Sequence, residues 1–396
     1  MNHINEDIVY IILDSYDHFW SRDLARISRV SSAFLRPARK HLYKSPSLFS
    51  YRACHLLARS LNHNEDLIPL VHALDLRPTY DDSSLIESRE INPHVPGICP
   101  GVSQLLSIVH LERLALSGDL AYGAQRFLRA VSNPHLITVL QIGAPQIAGS
   151  YSKNNLSQIA SIEWDGELAN RFHALKSLSF TGPLVLDIDD SHFDYDSEIN
   201  GSPFHPSVMS GCKLEELRLI NIEFSGASGL LSALLCGPAS WKYLRTFSFS
   251  LDCTDAEKVL DHLTNLLEHS YCSLQELIVS SSHYLSSQGL LDNVLDFVLS
   301  KEGPMLSLCT LHASGMPDNI RKLHLAFPNL ELLEYTHDGY LNGEDELLQP
   351  WLSALSSHYF PFLKALTLRL YTPLRSGIRK TDTEFFVRRG IKLRLT

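Results

Sequence analysis

Histidine, cysteine and carboxylate side chains are plentiful in this chain, so a catalytic or metal-binding centre is the first possibility to test. Its 396 residues include 19 His, 7 Cys and 44 Asp and Glu. The sequence contains no H-E-x-x-H, no G-x-S-x-G, no phosphate-binding G-x-x-x-x-G-K and no dinucleotide-binding G-x-G-x-x-G. The cysteines are scattered without a C-x-x-C pair, which is typical of reduced thiols in a cytoplasmic or nuclear protein. The sequence therefore predicts a protein that is not an enzyme and carries no cofactor.

One acidic stretch leaves two interpretations open. Between residues 187 and 206 the chain concentrates the carboxylates of Asp187, Asp189, Asp190, Asp194, Asp196 and Glu198. Carboxylate oxygens are ligands that calcium prefers, but the fixed Asp, Gly and Glu spacing of an EF-hand loop is missing. A solvated acidic loop is the favoured interpretation, and no metal site is predicted.

The overall charge and hydropathy exclude further classes of protein. The 34 Lys and Arg against 44 Asp and Glu give a net charge of −10 at pH 7. This charge repels phosphate backbones and argues against general nucleic-acid binding, although a local basic patch remains open. No run approaches the ~18 uncharged apolar residues of a membrane-spanning helix. We therefore expect no nucleic-acid partner and no membrane association.

An internal repeat organises most of the chain. A frame of three anchors, apolar-x-x-apolar-x-apolar, recurs about every 32 residues. An aromatic residue stands three positions before the first anchor in five of the ten frames, where the 9% aromatic content predicts about one. Helix-like apolar spacing separates the frames, as in residues 254–267 and 290–299. The first anchors of the ten frames are Val71, Leu111, Ile137, Leu175, Leu214, Leu244, Leu274, Leu308, Leu330 and Leu363. This alternation predicts an α/β solenoid with a parallel sheet on one face.

The first forty residues have a different pattern, typical of three short helices. Asn5 is a good N-cap, and Ile8, Val9, Ile12 and Leu13 then form an apolar stripe. Two further apolar stripes follow before residue 43. Because so short a segment cannot bury all of them within itself, some are expected to contact the repeats or another protein.

Both parts of the chain resemble known families. The frames resemble leucine-rich repeats in their long, irregular form, which implies a parallel sheet on a concave face and helices on a convex face. The segments Ile4-Asn5-Glu6-Asp7-Ile8, Ile12-Leu13, Asp23-Leu24, Arg29-Val30-Ser31-Ser32-Ala33-Phe34 and Leu42-Tyr43 resemble an F-box, particularly that of fungal F-box proteins. The two resemblances imply a small all-α F-box over residues 1–45, a helical connector over 46–70 and a leucine-rich-repeat solenoid over 71–396.

The F-box resemblance also implies a function. F-box proteins bind a Skp-family adaptor and, through it, a cullin, so the chain is expected to recruit a protein substrate to a ubiquitin ligase. A leucine-rich-repeat interaction scaffold without a ubiquitin ligase role is the alternative. The residues that match the family pattern, and that are expected either at the adaptor interface or in the small core behind it, are Ile4, Ile8, Ile12, Leu13, Leu24, Val30 and Phe34.

The repeat also indicates where a substrate would bind. Side chains alternate along a strand, so positions beside and between the second and third anchors point away from the core. This rule yields candidate substrate-binding residues at Gln141, Glu216, Arg218, Glu276, Ile278, His312, Glu334 and Arg369. A solvated sheet face without a ligand remains the alternative, and the sequence does not identify the substrate.

Overall fold

The computed structural model of the chain divides into two compact units, Met1–Glu163 and Trp164–Thr396. It describes residues 6–15, 21–78, 100–144, 160–164, 168, 171–187, 213–225, 241–251, 263–264, 266–281, 284–301, 303–315, 319–337, 344–369 and 380–396. The predicted helix start at 254–257 and nearly all of the acidic stretch from residue 187 lie outside these residues, as do Ile4 and Asn5.

The first unit opens with the three short helices that the sequence predicts. They are α1 (Glu6–Asp14), α2 (Ser21–Ile27) and α3 (Ser32–Lys44). Helices α1 and α2 both pack against α3. Three more helices follow in this unit: α4 (Tyr51–His63), α5 (Pro100–Ile108) and α6 (Ala124–Arg129). The Ser50 Oγ atom caps α4 by accepting a hydrogen bond of 3.2 Å from the Ala53 N–H.

The first unit also contains a parallel sheet. Its strands lie in sequence order and are β1 (Ser47–Leu48), β2 (Ala73–Leu76), β3 (Arg113–Ser117) and β4 (Val139–Gly143); a further strand, β5 (Ala160–Glu163), ends the unit. The turn after β3 requires glycine, because Gly118 has a φ of 64° and a Cβ atom there would lie 2.6 Å from the Pro78 carbonyl oxygen.

The second unit contains eight strands that also follow sequence order. They are β6 (Ser177–Asp187), β7 (Glu216–Ser225), β8 (Thr246–Leu251), β9 (Glu276–Ser281), β10 (Thr310–Gly315), β11 (Leu332–His337), β12 (Ala365–Arg369) and β13 (Lys392–Leu395). Every neighbouring pair is parallel. The helices of this unit whose bounds the structure defines include α7 (Tyr284–Ser300), α8 (Ile320–Ala326), α9 (Glu344–Ser356) and α10 (Lys380–Arg388), and residues 266–270 are also helical. Helix α7 packs against β9, β10 and α8.

The repeat anchors are the core of both units. The second and third anchors of all ten predicted frames lie on strands, β2–β4 and β6–β12, and the first anchor lies two residues before each of these strands; every anchor is buried, with at most 5% of its surface exposed. The strand register places equivalent anchors side by side, as with Leu277, Leu311 and Leu333 on three neighbouring strands. The predicted α/β class and parallel pairing are therefore confirmed, and the sequential strand order is compatible with a repeat solenoid.

The aromatic position before the frames has a structural role. Phe172, Trp241, Phe327 and Phe360 are each at most 1% exposed. Tyr271 is less buried, and its hydroxyl donates a hydrogen bond to the Gly303 carbonyl oxygen. At four of the five positions, the excess of aromatics therefore reflects filling of the core beside the start of the strand.

The contact between α8 and the segment before β12 predicts a dependence of stability on pH. The His324 Nδ1 atom accepts a hydrogen bond of 3.2 Å from the Phe360 N–H, and the imidazole stacks on Tyr359 with centroids 4.7 Å apart. Burial lowers the pKa of His324 below its ordinary value of 6.5. Below pH 6.5 the unfolded chain therefore binds a proton that the folded chain resists, and a protonated ring could not accept the Phe360 bond.

We expect the urea midpoint to fall as the pH is lowered from 7.5 through the window between 6.5 and the depressed pKa of His324. In the His324→Gln variant the amide oxygen can accept the Phe360 bond but does not titrate, so the decrease should be smaller. Identical pH profiles for the two proteins would contradict this assignment.

Candidate interaction surfaces

The structure divides the predicted adaptor-binding residues into two groups. Leu13 and Leu24 belong to the small core of α1–α3 together with Val9 and Ala38, and Phe34 packs against that core. Ile8, Ile12 and Val30 are instead 51%, 48% and 70% exposed. Ile4 lies outside the described residues. Of the two roles left open by the sequence, the structure thus assigns the core role to Leu13, Leu24 and Phe34, and it leaves Ile8, Ile12 and Val30 exposed to solvent.

Two members of the exposed group, Ile8 and Ile12, form an apolar surface on the first helix. Ile8 and Ile12 stand one turn apart on α1, so their side chains lie on the same face. Ile11 on the same helix and Leu35 at the start of α3 are also exposed. The small core cannot bury these groups, because Val9 and Leu13 on the adjacent face of α1 already contact it.

Polar contacts fix the position of α1 on α3. The Asp14 carboxylate lies 3.0 Å from His41 Nε2, and the Lys40 ammonium lies 5.2 Å from the centre of the Tyr10 ring. Both contacts join the two helices on their polar sides. Helix α1, which carries the exposed apolar strip, is therefore anchored to α3.

The outward positions of β9–β12 carry a row of charged and titratable side chains. His312 on β10 lies between two carboxylates: its Nδ1 atom is 3.4 Å from Glu334 Oε2, and its Nε2 atom is 4.0 Å from Glu276 Oε1. Glu334 also pairs with Arg369, whose Nε atom is 2.6 Å from Oε1. The four side chains are 22–58% exposed, so they form a connected row that solvent and a partner can reach.

A second polar group lies on β6 and β7. Glu216 accepts a hydrogen bond of 2.7 Å from the Ser177 hydroxyl and pairs with the guanidinium of Arg218. Ile278 on β9 aligns with His312 and is half-buried. All predicted outward residues of the second unit are thus on the sheet face opposite the anchors, which we term the open face, and none is buried.

The first unit contains the remaining predicted residue and a pair that the sequence reading missed. Gln141 on β4 is exposed. Asp75 on β2 pairs with Arg77, whose Nε atom lies 2.8 Å from Oδ1, and this contact raises the pKa of the Arg77 guanidinium. Both residues occupy outward positions of the first frame, so the alternation rule applied to that frame would have identified them.

Charged pairs of this exposure favour recognition more than stability. An exposed ion pair contributes about 0–1 kcal/mol, so the rows on the open face add little to the fold. Their alternating carboxylate and cationic groups can instead form many modest polar contacts with a protein segment. Within the described residues no group of three or more His, Cys, Asp or Glu side chains could hold a metal ion.

None of the helices in the described part of the chain is long and apolar enough to span a membrane. Comparison of the chain with models of known protein families gives no match, and comparison with curated protein sequences gives none either.

Proposed function

We propose that this chain is a substrate-recruiting subunit of a Skp/cullin/F-box ubiquitin ligase. Helices α1–α3 would be its F-box, and the strands and helices that follow would be an irregular leucine-rich-repeat solenoid. The observation that carries the proposal is the exposed strip of Ile8 and Ile12 on a helix whose adjacent face, with Val9 and Leu13, already fills a core. Apolar side chains that a fold leaves in water at helical spacing are typical of a helix that docks on another protein.

The small size of the core of α1–α3 favours a role of these helices in binding another protein. Its core consists of four buried residues, with Ile27, Phe34 and Leu42 packed against them. Three short helices with so small a core gain stability by covering their exposed apolar groups. A Skp-family adaptor, which binds F-boxes through apolar helical contacts, would provide that cover and link the chain to a cullin.

The open face would present the target. Its row from Glu276 to Arg369 offers hydrogen-bond donors and acceptors in a fixed register across four strands. No residue of this chain would perform the chemistry. Holding a target lysine close to a ubiquitin-carrying enzyme raises its effective concentration, and this proximity would account for the acceleration.

Co-expression with a Skp-family adaptor tests the proposal directly. We expect a one-to-one complex that survives affinity purification and elutes as a single species from a size-exclusion column with light-scattering detection. A folded chain that elutes without the adaptor would reject the ligase role and favour an interaction scaffold that uses the open face alone.

A further inference from the structure

The residues that precede the strands of the second unit carry a charge opposite to that of the whole protein. The five residues before each of β6–β13 contain seven Lys and Arg against two carboxylates, whereas the chain as a whole has 34 basic and 44 acidic residues. The seven are Lys176, Lys213, Lys242, Arg245, Lys364, Arg388 and Arg389. Four of them precede three adjacent strands, β6, β7 and β8. This asymmetry marks one edge of the sheet.

Backbone hydrogen bonds align the three chain segments that carry Lys176, Lys213, Lys242 and Arg245. The Glu215 N–H donates to the Lys176 carbonyl oxygen at 2.7 Å, and the Arg245 N–H donates to the Glu215 carbonyl oxygen at 2.8 Å. Lys213 stands two positions before Glu215, and Lys242 stands three positions before Arg245. We name Lys176, Lys213, Lys242, Tyr243 and Arg245 the basic patch.

An aromatic ring lies inside the basic patch. The ammonium groups of Lys213 and Lys242 are 5.6 and 5.0 Å from the centre of the Tyr243 ring. Tyr243 itself is 38% exposed. Two cations from different strands therefore lie close to one accessible ring, a geometry in which each cation gains a weak attraction and keeps its solvent-facing side.

The cations of the basic patch differ from other lysines of the same unit in whether a described carboxylate lies close to them. Lys301, Lys322 and Lys364 each have a carboxylate oxygen at 2.6–2.8 Å. Among the residues that the structure describes, no carboxylate lies within ion-pair distance of the four cations of the basic patch. All five residues of the patch are exposed. Their charges are thus accessible to an external anion.

We propose that the basic patch binds an acidic protein segment in an extended conformation. Neighbouring strands lie about 4.8 Å apart, so Lys176 and Arg245, two strands apart, are separated by about 10 Å along the sheet edge. A peptide in the extended polyproline II conformation rises about 3.1 Å per residue with three residues per turn, so acidic side chains three positions apart lie on one side of the peptide and match this separation. Tyr243 provides an apolar contact between them. The residues of the basic patch belong neither to the open face nor to α1, so the inference does not depend on the ligase role.

A protein segment fits the basic patch better than a nucleic acid does. The patch comprises four cations around Glu215, too short a basic track for the six to ten phosphate contacts typical of strong nucleic-acid binding. The net charge of −10 repels a long polyanion, whereas a short acidic segment contacts only the patch. A phosphorylated segment offers the same chemistry with more charge per residue.

Fluorescence anisotropy with the full chain tests this proposal. The probe is a fluorescein-labelled peptide of about twelve residues in which every third residue is Glu and the others are Ser and Ala. At about 50 mM salt we expect saturable binding that weakens as salt is added. The Lys242→Glu/Arg245→Glu variant should bind at least about tenfold more weakly while its urea unfolding midpoint is unchanged. A second probe carries phosphoserine in place of Glu. If a phosphorylated segment is the source of the negative charge, this probe should bind the wild type more tightly than the Glu peptide does, and it should bind the variant as weakly as the Glu peptide does.

A matched double variant controls for charge alone. Arg52 and Arg59 are exposed on α4, so Arg52→Glu/Arg59→Glu changes the net charge by the same amount in the other unit. It should bind the acidic peptide as the wild type does. Four results would overturn the proposal: no binding of the acidic peptide, equal binding of a peptide with Lys at the same positions, tighter binding of a single-stranded oligonucleotide of equal charge, or an equal loss in the control variant.

Discussion

Ile8→Asp is expected to abolish capture of a Skp-family adaptor without unfolding the chain. Ile8 is 51% exposed in the first turn of α1, where an aspartate is favoured by the helix dipole, so the folded state tolerates the change. A charge placed in an apolar interface must be desolvated on binding. Loss of an anchoring apolar residue costs about 2 kcal/mol or more, so the adaptor should be absent from the purified complex.

Two control variants separate the interface from the fold. Leu24→Asp places a charge in a core where Leu24 is 7% exposed, so it should also lose the adaptor, but by unfolding α1–α3. Phe49→Asp changes an exposed apolar residue outside the box and should bind normally. Hydrogen exchange of residues 6–44 distinguishes the variants: protection should be retained in Ile8→Asp and lost in Leu24→Asp. Normal adaptor binding by Ile8→Asp would disprove the proposed interface.

The repeat could be predicted because its signal is local. Anchors such as Leu274, Leu277 and Val279 lie within six residues, and their spacing directly reflects a strand with one buried face. The same alternation correctly placed the outward residues of the second unit. The helices α1–α3 and the end of α7 before Gly303-Pro304 follow from equally local stripes and stop signals.

The roles of the box residues could not be predicted in the same way. The stripe of Ile8, Val9, Ile12 and Leu13 covers two adjacent faces of α1, and sequence alone does not show which face meets α3. Packing selects Val9 and Leu13 for the core. The periodicity therefore identified an apolar helix, while the division between core and surface depended on tertiary contacts.

Contacts between strands are not visible in any single local stretch of the sequence. His312, Glu334 and Arg369 are separated by 22 and 35 positions in the chain, so nothing local indicates that they form one row. The basic patch is similar, since Lys176 and Arg245 come to lie on one edge of the sheet, two strands apart, only when β6, β7 and β8 are aligned. Alignment of the ten frames by their anchors would have revealed both groups, because parallel register places equivalent positions side by side.

Trp351→Ala is expected to lower the stability of the second unit by about 3–5 kcal/mol. Trp351 on α9 is 1% exposed. Its ring contacts Tyr335 edge-on at a centroid distance of 5.3 Å and lies 6.4 Å from Phe360. Alanine would leave a cavity between the helix layer and β11, and the surrounding anchors cannot collapse into it without leaving their register.

The effect should be local, because a repeat contacts mainly its neighbours and its loss need not unfold distant repeats. Hydrogen exchange of β11 and β12 is therefore the appropriate measurement, with the guanidinium unfolding midpoint beside it. Phe362→Ala is the matched control: this aromatic precedes β12 but is 57% exposed, so its removal should cost well under ~1 kcal/mol. The loss of stability in Trp351→Phe should fall between those of Trp351→Ala and Phe362→Ala, since phenylalanine retains part of the buried aromatic surface. If hydrogen-exchange protection of β11 and β12 were equal in Trp351→Ala and Phe362→Ala, α9 would not contribute to the core beneath β11.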